Sequence, residues 1–388
     1  MNKVPGYVYW PVLAFVALFA VDKLFLIPKL KLLSQPDATF LYYDYKSELL
    51  DELEEVHANQ QLRITDAPVG KDGVPVVSVR KKTFLVLGSS RLLYFDYDAY
   101  ARAYADWEMF NFSAPVTAPA YYLYILERVV DRGIKPDYIL VEVDPFQFNA
   151  GSDAFERSNL AYSFDFRFMW DHFSLFKRRE VSYFLARNLF AGYKYPPDLG
   201  TMFGRLINPI DRFTLAFNDM DQYQRTHRGG GRSIIPRENW YERDFPNLEG
   251  TAVLTLNWLY RNYRLDERQF VFFEKLLALA KANDIDVMLV RPPVSRPMIR
   301  RMREDPRLAR RLTQWQERLD RARDGYDYGY LDLQDHPEYY CNTYVDAAHM
   351  AKDCYRPMMS LVMREYFERT AAAARGGAVV VGRTERNP

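Results

Sequence analysis

Two short stretches of this 388-residue chain carry side chains suited to nucleophilic chemistry. The first is Leu87-Gly88-Ser89-Ser90-Arg91, at the end of the continuous apolar run Thr83 to Leu87. Such a run, closed by glycine, predicts a buried parallel strand. A strand-to-helix turn containing glycine can present a serine hydroxyl at the carboxyl edge of the sheet, with neighbouring N–H groups placed to receive an oxyanion. The second stretch is Tyr344-Val345-Asp346-Ala347-Ala348-His349-Met350. Asp and His three residues apart on a turn can share one side, the carboxylate fixing the imidazole tautomer while the other ring nitrogen faces a serine. That histidine would act first as general base and then as general acid. Neither stretch is diagnostic alone, since Gly-Ser-Ser also makes phosphate-binding or structural turns and Asp-x-x-His occurs in metal sites. A metal site needs more ligands, and His57, His172, His227 and His336 offer no cluster, so no metal is expected.

The elements needed to hold these residues are legible on both sides of them. After the strand at Thr83 to Leu87, the sequence predicts a helix near Asp98 to Ala105 and a strand at Trp107 to Phe112. A helix at Pro119 to Arg132 and a strand at Tyr138 to Val143 follow. The alternation resumes late: Phe270, Phe273, Leu276, Leu277 and Ala280 mark a helix over Asp266 to Ala282, followed by a strand at Ile285 to Val290. Another strand is expected at Tyr328 to Leu333 and a closing helix over Asp353 to Arg369. Strands alternating with helices give a parallel sheet covered on both faces, with the active site at the carboxyl ends of its strands.

At the amino terminus, Tyr7 to Val21 is apolar, and Leu24 to Ile27 resumes the run after Asp22-Lys23. About 20 residues of this kind match the thickness of a bilayer core. No small-residue cleavage site is evident, which favours an uncleaved signal anchor over a removed signal peptide, with a buried amphipathic helix as the alternative. Lys3 precedes the run while Lys23, Lys29 and Lys31 follow it, so charge bias does not argue for an external domain. The expected organisation is an anchor (1–35), a helical stalk (36–80, with Phe40 to Gln60 helical and Asp66 to Gly73 a loop) and a first half-domain (81–149). A mostly helical insertion or cap (150–265, containing Gly229-Gly230-Gly231), a second half-domain (266–370) and a disordered tail (371–388) complete it.

Lys and Arg number 52 against 51 Asp and Glu, so no overall field draws in nucleic acid, and none is expected as a partner. The Arg-rich stretch Arg296 to Arg311 is either a solvated helical face or a surface for anionic lipid or glycan. Cys341 and Cys354 flank the Asp-His segment; they would bridge in an oxidising compartment and stay free thiols in the cytoplasm.

The opening Gly-x-Ser and the closing Asp-x-x-His resemble the first and last blocks of the SGNH (GDSL-like) hydrolase superfamily. The Gly88-Ser89-Ser90 form, with Ser89 where many members have Asp, looks more like its membrane-anchored, acyltransferase-type branch than its secreted lipases. That branch includes the D-alanyl transfer protein of teichoic-acid modification, the alginate O-acetylation proteins and an uncharacterised bacterial group. Asp22-Lys23, Asn111-Phe112-Ser113 and Glu142-Val143-Asp144-Pro145 resemble the last of these. The likeness implies a flavodoxin-like, three-layer α/β fold, with Ser90 as nucleophile, His349 as its base and Asp346 orienting the base. No cofactor is implied. Oxyanion or substrate contacts are expected from Gly88, Ser89 (or the Ser90 N–H), Asn111 and Arg91, although an exposed helix-start role fits Arg91 better. The usual Gly-x-Asn-Asp block after the third strand is replaced by Val143-Asp144-Pro145. The implied activity is O-acyl transfer from an acyl donor to an envelope or exported glycan by an extracytoplasmic domain, with a membrane-bound O-acyltransferase as partner. An SGNH esterase and a non-catalytic envelope scaffold are the alternatives.

Overall fold

Five apolar runs form one parallel sheet in the computed structural model, which describes residues 7, 9–35, 39–65, 80–93, 97–152, 155, 158–208 and 247–378. Asp66 to Gly73, His227 and Gly229-Gly230-Gly231 lie outside these residues. The strands are β1 (Lys82–Leu87), β2 (Trp107–Asn111), β3 (Tyr138–Glu142), β4 (Asp286–Arg291) and β5 (Gly329–Asp332), in the spatial order β2-β1-β3-β4-β5. Leu85 pairs with Phe110 and Ile139, Leu140 with Met288, and Val290 with Leu331. This is the flavodoxin-like order, and it reverses between β1 and β3, where ligands of such sheets bind beyond the strand ends. Ser90 stands just past β1.

Before the sheet come α1 (Tyr9–Lys23), α2 (Pro28–Ser34) and α3 (Thr39–Thr65). Between strands lie α4 (Tyr97–Ala103) and α5 (Pro119–Asp131). After β3 follow α6 (Asn159–Tyr162), α7 (Phe166–Asp171), α8 (Arg178–Leu189), α9 (Ala191–Lys194), α10 (Leu199–Ile207) and α11 (Leu248–Leu259). The second half brings α12 (Glu267–Ala282), α13 (Arg296–Glu304), α14 (Pro306–Arg323) and α15 (Tyr355–Ala378).

Side chains alternate across a strand, so each strand feeds two cores. Leu85, Leu87, Ile139, Val141, Val287 and Leu289 pack with α3, α5 and α12 through residues such as Leu50, Tyr121, Leu126, Phe273 and Leu276. Their neighbours Phe84, Val86, Tyr138, Leu140, Met288 and Val290 face Tyr100 of α4 and Met358, Val362 and Tyr366 of α15. Burial on both faces explains why these strands are nearly unbroken apolar runs.

The segment between the two halves leaves and returns at one place: Asn149 and Leu265 form an antiparallel bridge, and Asp266 N–H donates to the Phe148 carbonyl at 2.8 Å. α15 runs on through Ala378, beyond the point at Ala371 where structure was expected to end. Its alanine run is a strong helix former, which the expectation of a disordered tail overlooked. Tyr9–Leu26 is long and apolar enough to cross a membrane, with a mean hydropathy of 1.7 and no residue buried in the protein, a property that anchors and signal sequences share.

Candidate active site

The turn after β1 can form only because residue 88 has no side chain: a Cβ there would lie 2.7 Å from Leu92 Cβ. The Gly88 carbonyl is held by Ala114 N–H at 3.0 Å and by the Thr117 hydroxyl at 2.9 Å. Beyond the sheet edge, Ser90 Oγ stands 2.8 Å from His349 Nε2. His349 Nδ1 in turn lies 2.8 Å from Asp346 Oδ2 and 2.9 Å from Oδ1. Thus Ser90, His349 and Asp346 are brought together in hydrogen-bond order. Burial opposes the charge on Asp346, yet His349 and the N–H groups of Ala348 and His349, at 2.8 and 2.9 Å, hold its carboxyl below the usual range. An ionised carboxylate on Nδ1 fixes the tautomer that leaves Nε2 free to accept the serine proton.

The segment carrying Asp346 and His349 is closed on itself. Tyr344 and Met350 form a bridge, Val345 N–H donates to the His349 carbonyl at 3.0 Å, and Ser295 N–H donates to the Ala347 carbonyl at 2.9 Å. A disulfide joins Cys341 to Cys354 around it, with Cα atoms 5.3 Å apart.

Arg91 is not the exposed helix-start residue its position suggested. It is 3% exposed, its guanidinium is ion-paired with Asp144, and it donates to the carbonyls of Pro292 and Pro293. Burial opposes its charge, but Asp144 and Glu142 hold its pKa above the ordinary value. Asp144 also accepts from the Tyr260 hydroxyl at 2.7 Å, so β1, β3, the loop after β4 and α11 are pinned at one point. This cluster braces the Ser90 turn from beneath, and the guanidinium's hydrogen-bond partners are internal ones.

Two further oxyanion candidates are engaged internally. Ser89 gives its N–H to Glu142 Oε2 at 2.5 Å and its hydroxyl to Oε1 at 2.9 Å. Asn111, fully buried, donates both amide hydrogens to the Leu92 and Leu93 carbonyls, at 2.9 and 3.2 Å, and accepts from Ser113 N–H. Its amide therefore holds the chain after Ser90 and has no N–H to offer an oxyanion. The Asn111 carbonyl accepts from Lys46 of α3 at 2.5 Å, and burial pushes that ammonium down to about 7.

Glu142 and Asp144 were visible in the sequence only as part of a resemblance. The signal that could have found their role is a carboxylate at the end of a wholly apolar strand, which must meet a partner once buried. With Arg91 paired to Asp144, burial raises the Glu142 carboxyl to about 7. A carboxyl raised in the folded state makes a contribution that is complete below its unfolded pKa and is lost as pH rises through the folded one. Compared with Glu142→Gln, the parent chain is expected to lose about 3 kcal/mol of stability between pH ~4.5 and ~7, measured by urea unfolding at a series of pH values. Parallel curves for the two proteins would contradict this.

Tyr260 and Tyr263 also wall a cavity of about 800 Å³ whose rim carries Arg261, Arg264, Arg301, Arg307, Arg310 and Arg311 against the single acid Asp305. Ala347 and Ala348, between Asp346 and His349, pack in the same apolar cluster as these tyrosines. Among the described residues, no group of three or more His, Cys, Asp and Glu is placed to hold a metal ion.

Against solved structures, the chain is similar to a candidate acylhydrolase from Bacteroides fragilis. That likeness spans 79% of this chain and 94% of the other at 10% identity, with a TM-score of 0.32. No curated protein matches the sequence. The family model that does match, described as a protein of unknown function, covers residues 3–366, from the apolar N-terminal segment into the last helix; the chain belongs to the DUF1574 family.

Proposed function

We propose that this protein transfers an acyl group, acetyl in the simplest case, through Ser90 to a hydroxyl of an envelope or exported glycan. The observation that carries the reading is the continuous hydrogen-bonded line from Ser90 through His349 to Asp346. In the first step Ser90 Oγ attacks the donor carbonyl while His349 Nε2 takes the hydroxyl proton. The tetrahedral intermediate collapses as His349 returns that proton to the leaving group, and an acyl-Ser90 ester remains. In the second step His349 takes the proton of the acceptor hydroxyl, the new ester forms on the acceptor, and Ser90 regains its proton. Asp346 stays ionised throughout and stabilises the imidazolium. The Ser90 N–H, on the same turn, is the oxyanion donor in this reading.

The apolar N-terminal helix supports a membrane-anchored enzyme, and the Cys341–Cys354 bridge supports an oxidising, extracytoplasmic location. A multi-pass O-acyltransferase in the same membrane would hand over the acyl group. The arginine-lined cavity walled by Tyr260 and Tyr263, which pack with Ala347 and Ala348, favours a carboxylate- or phosphate-bearing acceptor over a neutral one. Water in place of the acceptor would make the same machinery an esterase.

The test is to incubate the full chain with an activated acetyl ester, trap acetyl-Ser90 by mass spectrometry, and follow acetyl release with no glycan, a neutral glycan or a uronate-rich glycan. Transfer to the anionic glycan supports the proposal. Ser90-dependent release to water alone shows an esterase, and failure to acylate Ser90 leaves a binding scaffold.

A further inference from the structure

The helical segment after β3 turns an apolar face outward where the N-terminal span ends. On α10, Leu199, Phe203, Leu206 and Ile207 recur at helical spacing and are all exposed, Ile207 at 85%. The charged residue points inward: Arg205 is buried, and its guanidinium donates to the carbonyls of Leu33 at 3.3 Å and Gln35 at 2.7 Å. A helix on a water-facing surface has the opposite polarity. Asp198 N–H donates to the Ser34 carbonyl at 2.9 Å and the Gln35 amide to the Pro196 carbonyl at 3.2 Å, so α10 is fixed to α2.

The span itself is locked to the same segment. The Asp22 carboxylate accepts the N–H groups of Ala191 and Gly192, each at 2.7 Å, and the Lys23 ammonium donates to the Leu189 carbonyl. Phe19 meets Phe190 edge-on, ring centroids 6.2 Å apart. Around this joint Leu189, Phe190 and Tyr193 are exposed, so the outward apolar surface passes from α1 through α9 to α10.

We infer that α9 and α10 are seated in the interfacial layer of the bilayer that α1 crosses, forming a foot that fixes how the catalytic domain stands on the membrane. The occupant of the apolar face is lipid, because the face continues the span and shares its polarity. Its four exposed anchors carry no charge, so the seating needs no anionic headgroup. From α2, to which α10 is fixed, the chain passes into α3, whose Lys46 and Tyr43 hold the carbonyls of Asn111 and Pro115 near Ser90. The inference rests on reading α1 as a retained span; loss of a cleaved leader would remove Asp22 from its two N–H partners.

Both cysteines are disulfide-bonded, so single added cysteines can be labelled. The full chain carrying Val16→Cys, Phe203→Cys, Ile207→Cys or Lys275→Cys is labelled with bimane and reconstituted in neutral phosphatidylcholine vesicles. The label at 203 and 207 is expected to lose at least about half its emission to doxyl lipid quenching near the headgroups and to resist aqueous iodide. The label at 16 answers to deep doxyl lipid and that at 275 to iodide alone. If 203 and 207 behave like 275 while 16 is quenched, the foot is overturned and the span stands. Shielding from iodide without lipid quenching means that protein covers the face, and also overturns it. An unquenched label at 16 removes the span and the inference together.

Discussion

Ser90→Ala and His349→Ala are each expected to lower turnover of an activated acyl ester by at least about a thousandfold, and the double variant by no more than either alone. Nucleophile and base act as one unit: without Nε2 at 2.8 Å the hydroxyl keeps its proton, and without the hydroxyl the imidazole has nothing to activate. Asp346→Asn is predicted to cost about a thousandfold to ten-thousandfold, because an amide facing Nδ1 favours the tautomer whose Nε2 carries the proton. All three positions are partly open polar sites, so urea midpoints should stay near the parent value. Steady-state kcat/KM with unfolding curves on the same preparations decides the matter. Additive losses in the double variant, or more than a tenth of parent activity in Ser90→Ala, would place the chemistry elsewhere.

The second large effect is on stability. Arg91→Met is expected to cost about 3–5 kcal/mol, the range for removing one partner of a buried ion pair. The variant leaves Asp144 buried with Tyr260 and Phe146 N–H but without its ion-pair partner, and strips the Pro292 and Pro293 carbonyls of their donor. Adding Asp144→Asn should recover part of the loss, since the uncompensated charge is the main cost. Urea unfolding of the two single variants and the double variant measures this. A single-variant loss below about 1 kcal/mol would mean that water reaches the guanidinium and that the pair is not the brace described above.

How far the sequence revealed this arrangement depended on how local each cause was. Thr83 to Leu87 and Tyr138 to Val143 announced their strands because both faces of the sheet are covered, so nearly every residue had to be apolar. The Asp346–His349 spacing is closed within one turn, where spacing fixes geometry. Arg91 was misjudged as exposed because its burial is decided by Asp144, 53 residues away, and by carbonyls about 200 residues away. For Asn111 the residue type was noticed but not its direction, which depends on where the chain after Ser90 runs back. The Asp22–Lys23 pair is visible in the sequence only as a break in the apolar run, and its tie to Ala191, 169 residues on, has no sequence signature.

Ser90 and His349 are separated by 259 residues. If Ser90 and His349 act as proposed, the nucleophile emerges during synthesis long before its base, and a nascent chain that ends short of residue 349 carries a serine without it. The turn is completed from the far end as well, by the Tyr355 hydroxyl on the Arg91 carbonyl at 2.9 Å and by the Cys341–Cys354 bridge. On the proposed mechanism, reactivity waits for the last part of the chain to dock, and C-terminal truncation is expected to abolish acyl chemistry.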